Sequence, residues 1–515
     1  MKQRNFRRSL AALAMPFIAG CASAPAYAAD GPAMEQGIQF GDLTGGNVVV
    51  WSSADREARM WVEYAYNSQF KHSKVVRGSY AMPGNDYVVR QELTRLALGK
   101  DVYVKVWFED LTNARAKSAP VQGHFHTTAP NEGVRFVWGG DTSGQGWGIN
   151  TAFGGMKIYE AMRQTSPNFF IHSGDNIYAD GIIQASVTAE NGQAWTNIVT
   201  PEVSKVAETQ DEFRGRYKYN LLDENVRRFN AEVPQIWQWD DHEVVNNWSD
   251  AKDLAADTRY TLKDIPTLVA RADIAFHEYS PMRPFGAEEP ERIYRKIAYG
   301  PLLDVFVLDM RSYRGPNTAN LQATESAATA FLGNAQMAWL QEGLRKSKAV
   351  WKVIAADMPS GLNIGDGTNA DGTPRWEAVA NGNDGPAAGR ELEMARLLSN
   401  IKAQNIKNTV WLTADVHYAA AHYYDPAKAA SKDFLPFWEF VAGPLNAGSF
   451  GPNTKDQTFG IQAVFEKTPP APNTSPLSGY QFFGQVDIDP GTKALTVNLK
   501  DINGQSVYSK LLNVE

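Results

Sequence analysis

The sequence predicts a β-sandwich of the fibronectin or immunoglobulin type followed by an α/β domain built on a central sheet. Three observations lead there. Residues 36–128 are filled with short β-branched and aromatic runs separated by Gly, Asn and Pro clusters. Beyond Pro130, strand-like runs alternate with helix-like ones. The 515 residues are 43% hydrophobic and 21% charged, an ordinary globular balance that excludes a disordered, collagenous or multi-span membrane chain. The length suits two or three domains of roughly 100–200 residues each.

Residues 1–29 read as an export signal. Arg4, Arg7 and Arg8 precede an apolar stretch from Leu10 to Gly20, shorter than the roughly 20 residues needed to span a bilayer. Ile18-Ala19-Gly20-Cys21 resembles a lipobox, and Ala26-Tyr27-Ala28 is a competing cleavage site. Arg7-Arg8-Ser9-Leu10 is either a twin-arginine signal or a plain basic start. The expectation is an exported protein, periplasmic, secreted or an outer-membrane lipoprotein, touching the membrane only through an N-terminal lipid anchor. Cys21 is the one cysteine, which excludes a disulfide framework or thiolate cluster in the body of the protein. The net charge of −7 argues against a nucleic-acid-binding face. A substrate anion must then meet a few arginines or bound metal.

In the first domain the strand-like runs are Val48–Trp51, Ala58–Tyr64, Tyr87–Arg90 and Val102–Trp107, with no cluster of catalytic residue types. From 131 to 515 the expected strands are Val134–Trp138, Asn168–His172, Gln235–Trp239, Leu303–Leu308, Trp351–Ala355 and Val410–Thr413. Gln210–Asn230 and Ala335–Lys346 are helix-like, residues 361–389 read as a long surface loop or lid, and Gln485–Ile488 with Leu495–Leu499 reads as a closing hairpin.

Each of the six strands runs into an acid: Asp141, Asp175, Asp240 with Asp241, Asp309, Asp357 and Asp415. In an α/β sheet the carboxyl ends of strands form the ligand crevice. Carboxylates gathered there must be protonated, paired with bases or bound to cations, and multivalent metal answers most simply. The alternative for any single aspartate is a turn or helix cap, and Asp309 and Asp357 suit that role. Glycine precedes Asp141 and Asp175, which permits a sharp turn close to a ligand. Of eight histidines, His242, His417 and His422 fall at these junctions. His172 reads as a core histidine, and His72, His124, His126 and His277 as structural or exposed.

These segments resemble the metallophosphoesterase superfamily and, within it, the alkaline phosphatase D (PhoD-like) family. The matching stretches are G-G-D-T-S-G-Q-G-W-G from Gly139, F-I-H-S-G-D-N-I-Y-A-D-G from Phe170, W-D-D-H-E-V-V-N-N from Trp239, L-D-M-R-S-Y-R-G from Leu308 and T-A-D-V-H-Y-A from Thr413. G-D-L-T-G-G-N-V-V-V-W from Gly41 resembles the family's N-terminal domain. The resemblance implies a layered-sheet metallophosphoesterase domain and a two-metal phosphoester hydrolase, an alkaline phosphatase or phosphodiesterase. It implies Asp141 as ligand of one metal, Asp175 as the bridge, Tyr178 as a phenolate ligand, Asp241 in place of the superfamily's metal-binding asparagine, and Asp415 with His417 as the closing metal motif. Some relatives carry a cysteine ligand at the end of the first strand, where this chain has Asp141. Two or more ions are expected, Fe(III) and Ca(II), with Mn(II) or Zn(II) as alternatives; oxygen-rich ligands favour the first three over an all-histidine zinc site.

Two adjacent cations acidify a bound water and orient the hydroxide for in-line attack on phosphorus. His242 is the candidate to protonate the leaving oxygen or bind the phosphate, with metal ligation as its alternative. Arg311 is either a bidentate phosphate donor or the partner of a neighbouring acid. Asn176 and Asn247 are candidate substrate contacts or coordination-shell members, and His422 a candidate to orient a ligand. The substrate is a small-molecule or lipid phosphoester. A phospholipase or other phosphodiesterase with the same metals is the rival within chemistry, its leaving-group pocket set by residues 180–235 and 361–389. A periplasmic phosphate- or metal-binding protein is the non-enzymatic rival.

Overall fold

The computed structural model describes residues 31–515, so the export signal, the Cys21 lipobox and the twin-arginine reading lie outside the described residues. Two large sheets carry the six acid-ended strands, three each, in place of the single central sheet expected from sequence. The first has nine strands, in the order Ser506–Leu512, Leu495–Asp501, Phe482–Ile488, Val134–Gly139, Phe169–Ser173, Gln235–Gln238, Ile38–Thr44, Asn47–Ser53 and Val88–Leu93. The second has seven: Arg295–Tyr299, Leu303–Val307, Trp351–Ala355, Thr409–Thr413, Phe437–Val441, Ala419–Tyr424 and Ile461–Lys467.

The acid-ended strands run parallel within each sheet, so their carboxyl ends lie along one edge. Side-chain alternation sorts each strand between two cores. Phe136, Trp138, Phe169, Ile171 and Ile236 share one core with Val305, Val307, Val353, Ala355, Val410 and Leu412 of the facing sheet. Val137, Phe170 and Trp237 point the other way, into a core with the helices Lys157–Arg163, Gln210–Asn220, Glu224–Asn230 and Ile265–Tyr279. The helical stretch expected over 210–230 is broken, because Asp223 accepts from the N–H groups of Asn225 and Val226 and starts a second helix. On the second sheet, Gly333–Lys346 and Glu391–Ala403 cover the outer face.

The strands between 38 and 127 are divided. Ile38–Thr44, Asn47–Ser53 and Val88–Leu93 continue the nine-stranded sheet, joined at Gly41 opposite Gln235. Lys74–Ala81, Ala58–Ala65, Lys100–Asp110 and Val121–Thr127 form a separate antiparallel sheet. The two layers pack through Ile38, Phe40, Val48 and Val50 against Met60, Val62, Val104, Val106 and Phe125, with the Phe40 and Phe125 rings 4.9 Å apart. One layer of the expected sandwich is therefore the end of the sheet that carries the acidic strands.

Polar bonds tie the two large sheets together beside the acidic edge. Trp138 Nε1 donates to the Thr413 carbonyl at 3.2 Å. Gln238 Nε2 donates to the carbonyls of Leu308 at 3.0 Å and Ala355 at 2.9 Å, where two strands of the opposite sheet end. Gln238→Leu removes both bonds at a fully buried position. Denaturant titration is expected to show a loss of about 1–3 kcal/mol; an unchanged midpoint would show that these bonds do not hold the layers together.

Candidate metal centre

The site assembles from loops that leave the parallel strands. Asp141, Asp175, Asp415 and His417 all have positive φ, between 49° and 72°, a left-handed backbone that aspartate tolerates better than most residues. Gly174 precedes Asp175 at φ 84°, and a β-carbon there would stand 2.4 Å from that of Asp240. The glycine-aspartate pair thus turns the chain where no larger residue fits.

Three overlapping groups of ligand atoms result, each within 4.8 Å internally: Asp141, Asp175 and His417; Asp175, Asp241 and His242; Asp240, Asp241 and Asp415. Asp175 belongs to the first two and Asp241 to the last two. Tyr178 joins the first, its hydroxyl 2.8 Å from His417 Nε2. His417 Nδ1 donates to the Gly448 carbonyl, which leaves Nε2 as a lone-pair donor beside Asp141. Burial lowers the His417 pKa to about 4, so the ring is neutral, as a metal ligand must be.

The electrostatics point to cations. Neither carboxylate oxygen of Asp141 has a hydrogen-bond partner, nor does Asp241 Oδ1, although both residues are buried. Burial first, then neighbouring carboxylates, push Asp141, Asp175 and Asp415 well above the ordinary carboxylate range. Burial and the charges of Asp175 and Asp141 likewise hold the Tyr178 phenol protonated. A multivalent cation reverses both effects and converts an unpartnered acidic cluster into a ligand set. Asp241 differs: burial raises its pKa, but His242, Arg311, the Asn247 N–H and Lys252 outweigh that and keep it ionised.

Two family models match the chain: the PhoD-like phosphatase model over residues 136–499, and the N-terminal domain model of the same family over 20–129. The chain belongs to the PhoD-like phosphatase family. Alkaline phosphatase D of Bacillus subtilis (strain 168) is 29% identical over 317 residues, covering 59% of this chain and 50% of that protein, so the chain spans about half that relative's length. Among solved structures, PhoD aligns over 94% of this chain and 90% of its own, with TM-score 0.68 and 21% identity. Purple acid phosphatase PPD1 from yellow lupin (Lupinus luteus) seeds aligns over 94% and 74%, with TM-score 0.55 and 12% identity. At these identities the structures speak to the fold, a layout of sheets shared across phosphatases.

In this PhoD-like chain the six residues expected to ligate metal, Asp141, Asp175, Tyr178, Asp241, Asp415 and His417, are brought together with His242. The remaining candidates divide between their alternatives. Arg311 takes the second of its two, the partner of neighbouring acids: its guanidinium is fully buried and bonded to Asp240 and Glu377. Asn176 turns inward, donating from Nδ2 to the Gln238 carbonyl at 2.7 Å. Asn247 is a clasp, because its N–H donates to Asp241 Oδ2 and its Nδ2 to the Gly365 carbonyl at 2.9 Å. His422 lies among none of the three groups; it pairs with Glu439 at 3.1 Å inside the second sheet. Asp309 is the turn former expected, accepting from Arg311 N, Ser312 N and the Ser312 hydroxyl. His172 is buried against Thr142.

Three acids at the site escaped the sequence reading. Asp180 lies 2.7 Å from His242 Nδ1 and fixes the ring; it sits five residues past Asp175 in a segment already singled out. Glu243, next to His242, is wholly buried and accepts from the N–H groups of Asn176 and Asp240, locking two ligand loops together. Glu377 lies in the segment read as surface loop, yet residues 377–381 are buried, because Glu377 neutralises Arg311.

Ligand stabilisation of the folded state implies that chelator lowers the Tm of protein purified without chelator, by the equivalent of about 3–4 kcal/mol at ion concentrations 100–1,000 times Kd. Asp141→Asn is expected to lower metal stoichiometry while leaving the metal-free protein at least as stable as wild type. A metal-free protein strongly destabilised by Asp141→Asn would mean that the carboxylate has a protein partner instead.

Proposed function

We propose that this protein is an exported, metal-dependent phosphoester hydrolase. The reading is carried by the convergence of Asp141, Asp175, Asp241, His242, Asp415 and His417 into ligand groups that share Asp175 and Asp241. Family membership and the phosphatase names of its relatives support the same class of chemistry.

Asp141, Asp175, Tyr178 and His417 would hold one cation, and Asp175 with Asp241 and Asp415 the next. Fe(III) and Ca(II) suit this oxygen-rich set. When bound, such ions neutralise phosphoryl oxygens and lower the pKa of water. The chain's own groups supply orientation and a proton. Asp180 occupies His242 Nδ1, which leaves Nε2 to donate to the departing oxygen. In the metal-free chain burial opposes the charged ring, but the Asp180 and Asp241 charges outweigh it and raise the pKa to about 10; Asp180, which lies outside the proposed ligand set, is the partner that favours the protonated ring. The Tyr178 ring packs against that imidazole, centroids 4.2 Å apart and planes 32° from parallel, which restricts its rotation. The apolar segment Leu10–Gly20 supports export, with Cys21 as an anchor point.

Asp175→Asn should lower hydrolysis of nitrophenyl phosphate mono- and diesters by at least about a hundredfold, with a matching loss of bound metal. Full activity in that variant would contradict the reading. Binding without turnover in wild type would leave a phosphate- or metal-binding protein.

His242→Ala is expected to keep its metal and to lose more rate on alkyl phosphates than on nitrophenyl phosphate, whose leaving group needs no proton. Loss of metal would make His242 a ligand. Iron-loaded protein should be purple or brown, and the colour should vanish in Tyr178→Phe; a coloured variant would remove Tyr178 from the coordination shell.

A further inference from the structure

The acidic floor creates a problem for an anionic substrate. The chain carries a net charge of −7, and the arginines packed beneath the site are already committed. Arg311 is bonded to Asp240 and Glu377. Arg314 donates to the Glu377 carbonyl and Asn317, and Arg390 to the carbonyls of Gly315 and Trp376 and to Asn317. Arg216 serves the carbonyls of Tyr178, Gly181 and Lys205, and Arg259 is paired with Asp257 and the Asp180 carbonyl. Each of these arginines already serves two or more protein acceptors.

Lys252 is placed differently. Its ammonium lies 2.9 Å from Asp366 Oδ1, with 18% of the lysine side chain exposed. Asp366 belongs to the small hairpin of strands Gly365–Thr368 and Pro374–Trp376. A closed circuit of bonds ties this pair to the proposed ligand Asp241. Asp241 Oδ2 accepts from Asn247 N, Asn247 Nδ2 donates to the carbonyl of Gly365, and the next residue is Asp366. Asn317 Nδ2 completes the circuit, donating to the Asn247 carbonyl at 2.8 Å and to Asp366 Oδ2 at 3.0 Å. Asn247 holds this clasp at φ 56°, a backbone conformation kept only where its surroundings over-determine it. The Lys252 charge is also among those that act on Asp241. Lys252 is thus a single cation, one clasp away from a proposed metal ligand, whose partner is a carboxylate on a hairpin rather than on the sheet edge.

We propose that Lys252 is a substrate-binding residue that receives the phosphate at the rim of the metal centre, and that Asp366 holds it there until substrate takes its place. This rests on the phosphoester-hydrolase reading and adds the group that admits the anion. A carboxylate and a phosphate oxygen offer a lysine the same charge-assisted bond, so the exchange conserves the contact. A monoester dianion gains more from it than a diester monoanion.

Metal-loaded full-length protein tests this with nitrophenyl phosphate, bis(nitrophenyl) phosphate and inorganic phosphate as competitor. Lys252→Gln should raise KM for the monoester and Ki for phosphate about tenfold or more, raise KM for the diester less, and change kcat least. Lys252→Arg should recover most of the loss. Asp366→Asn loosens the hairpin but keeps the cation, so its KM should equal the wild-type value or fall below it. Two results would overturn the proposal: an unchanged monoester-to-diester KM ratio in Lys252→Gln, or an equal KM rise in Asp366→Asn, which would make the pair a hairpin anchor. If wild type proved inactive on both esters, the hydrolase reading would fail. Calorimetric phosphate titration of the metal-loaded wild type and Lys252→Gln would still decide the role of Lys252, with equal affinities counting against it.

Discussion

Mutual repulsion among carboxylates is the constraint on which the rest of this molecule depends. Five aspartates, Asp141, Asp175, Asp240, Asp241 and Asp415, meet where two parallel-stranded layers end side by side. Two like charges 4 Å apart cost about 4 kcal/mol at an effective dielectric of 20, and burial adds a desolvation cost for each. Two of the five are answered within the protein: Asp240 has Arg311, and Asp241 has the Asn247 N–H with Arg311 at 4.0 Å. Asp141 has no cationic partner of that kind, and neither of its oxygens makes a well-formed hydrogen bond. A buried acidic cluster of this kind suits positive charge from outside the chain.

The surrounding structure keeps that cluster from relaxing. Glu243 bonds two ligand loops together through their N–H groups, and Asn247 clamps Asp241 to the hairpin that begins at Gly365. Arg311 sits between Asp240 and Glu377, with Asp357 at 3.8 Å and Asp241 at 4.0 Å, and balances these buried acids. Trp138 and Gln238 bridge the two layers near the strand ends. Such preorganisation holds ligands in place for an ion instead of letting them turn away from one another.

Much of this was legible in the sequence because strand runs ending in Gly-Gly-Asp and Gly-Asp-Asn carry both the periodicity of the strand and the chemistry of its exit. That pattern singled out the aspartates from Asp141 to Asp415 that the structure brings together. It was silent on partners. Arg311 follows a strand end and reads equally as a phosphate donor or a buried counter-ion; Glu377, which decides the matter, lies more than sixty residues away in a Gly- and Asn-rich stretch. Asp180 was in plain view but has no periodicity to mark it, and its role follows only from the ring it meets. The strands between 38 and 53 showed their type but not their sheet, because pairing of Gly41 with Gln235 joins positions nearly two hundred residues apart. Alternation specifies which face of a strand is buried, not which strand lies beside it.

The central claim is that these aspartates share cations, and anomalous X-ray scattering from crystals of protein purified without chelator tests it most directly. The account predicts at least two metal peaks, one among Asp141, Asp175 and His417 and another touching both Asp175 and Asp241, with Asp175 common to the two. Density free of metal, with the Asp141 oxygens bonded to donors of the protein itself, would contradict it.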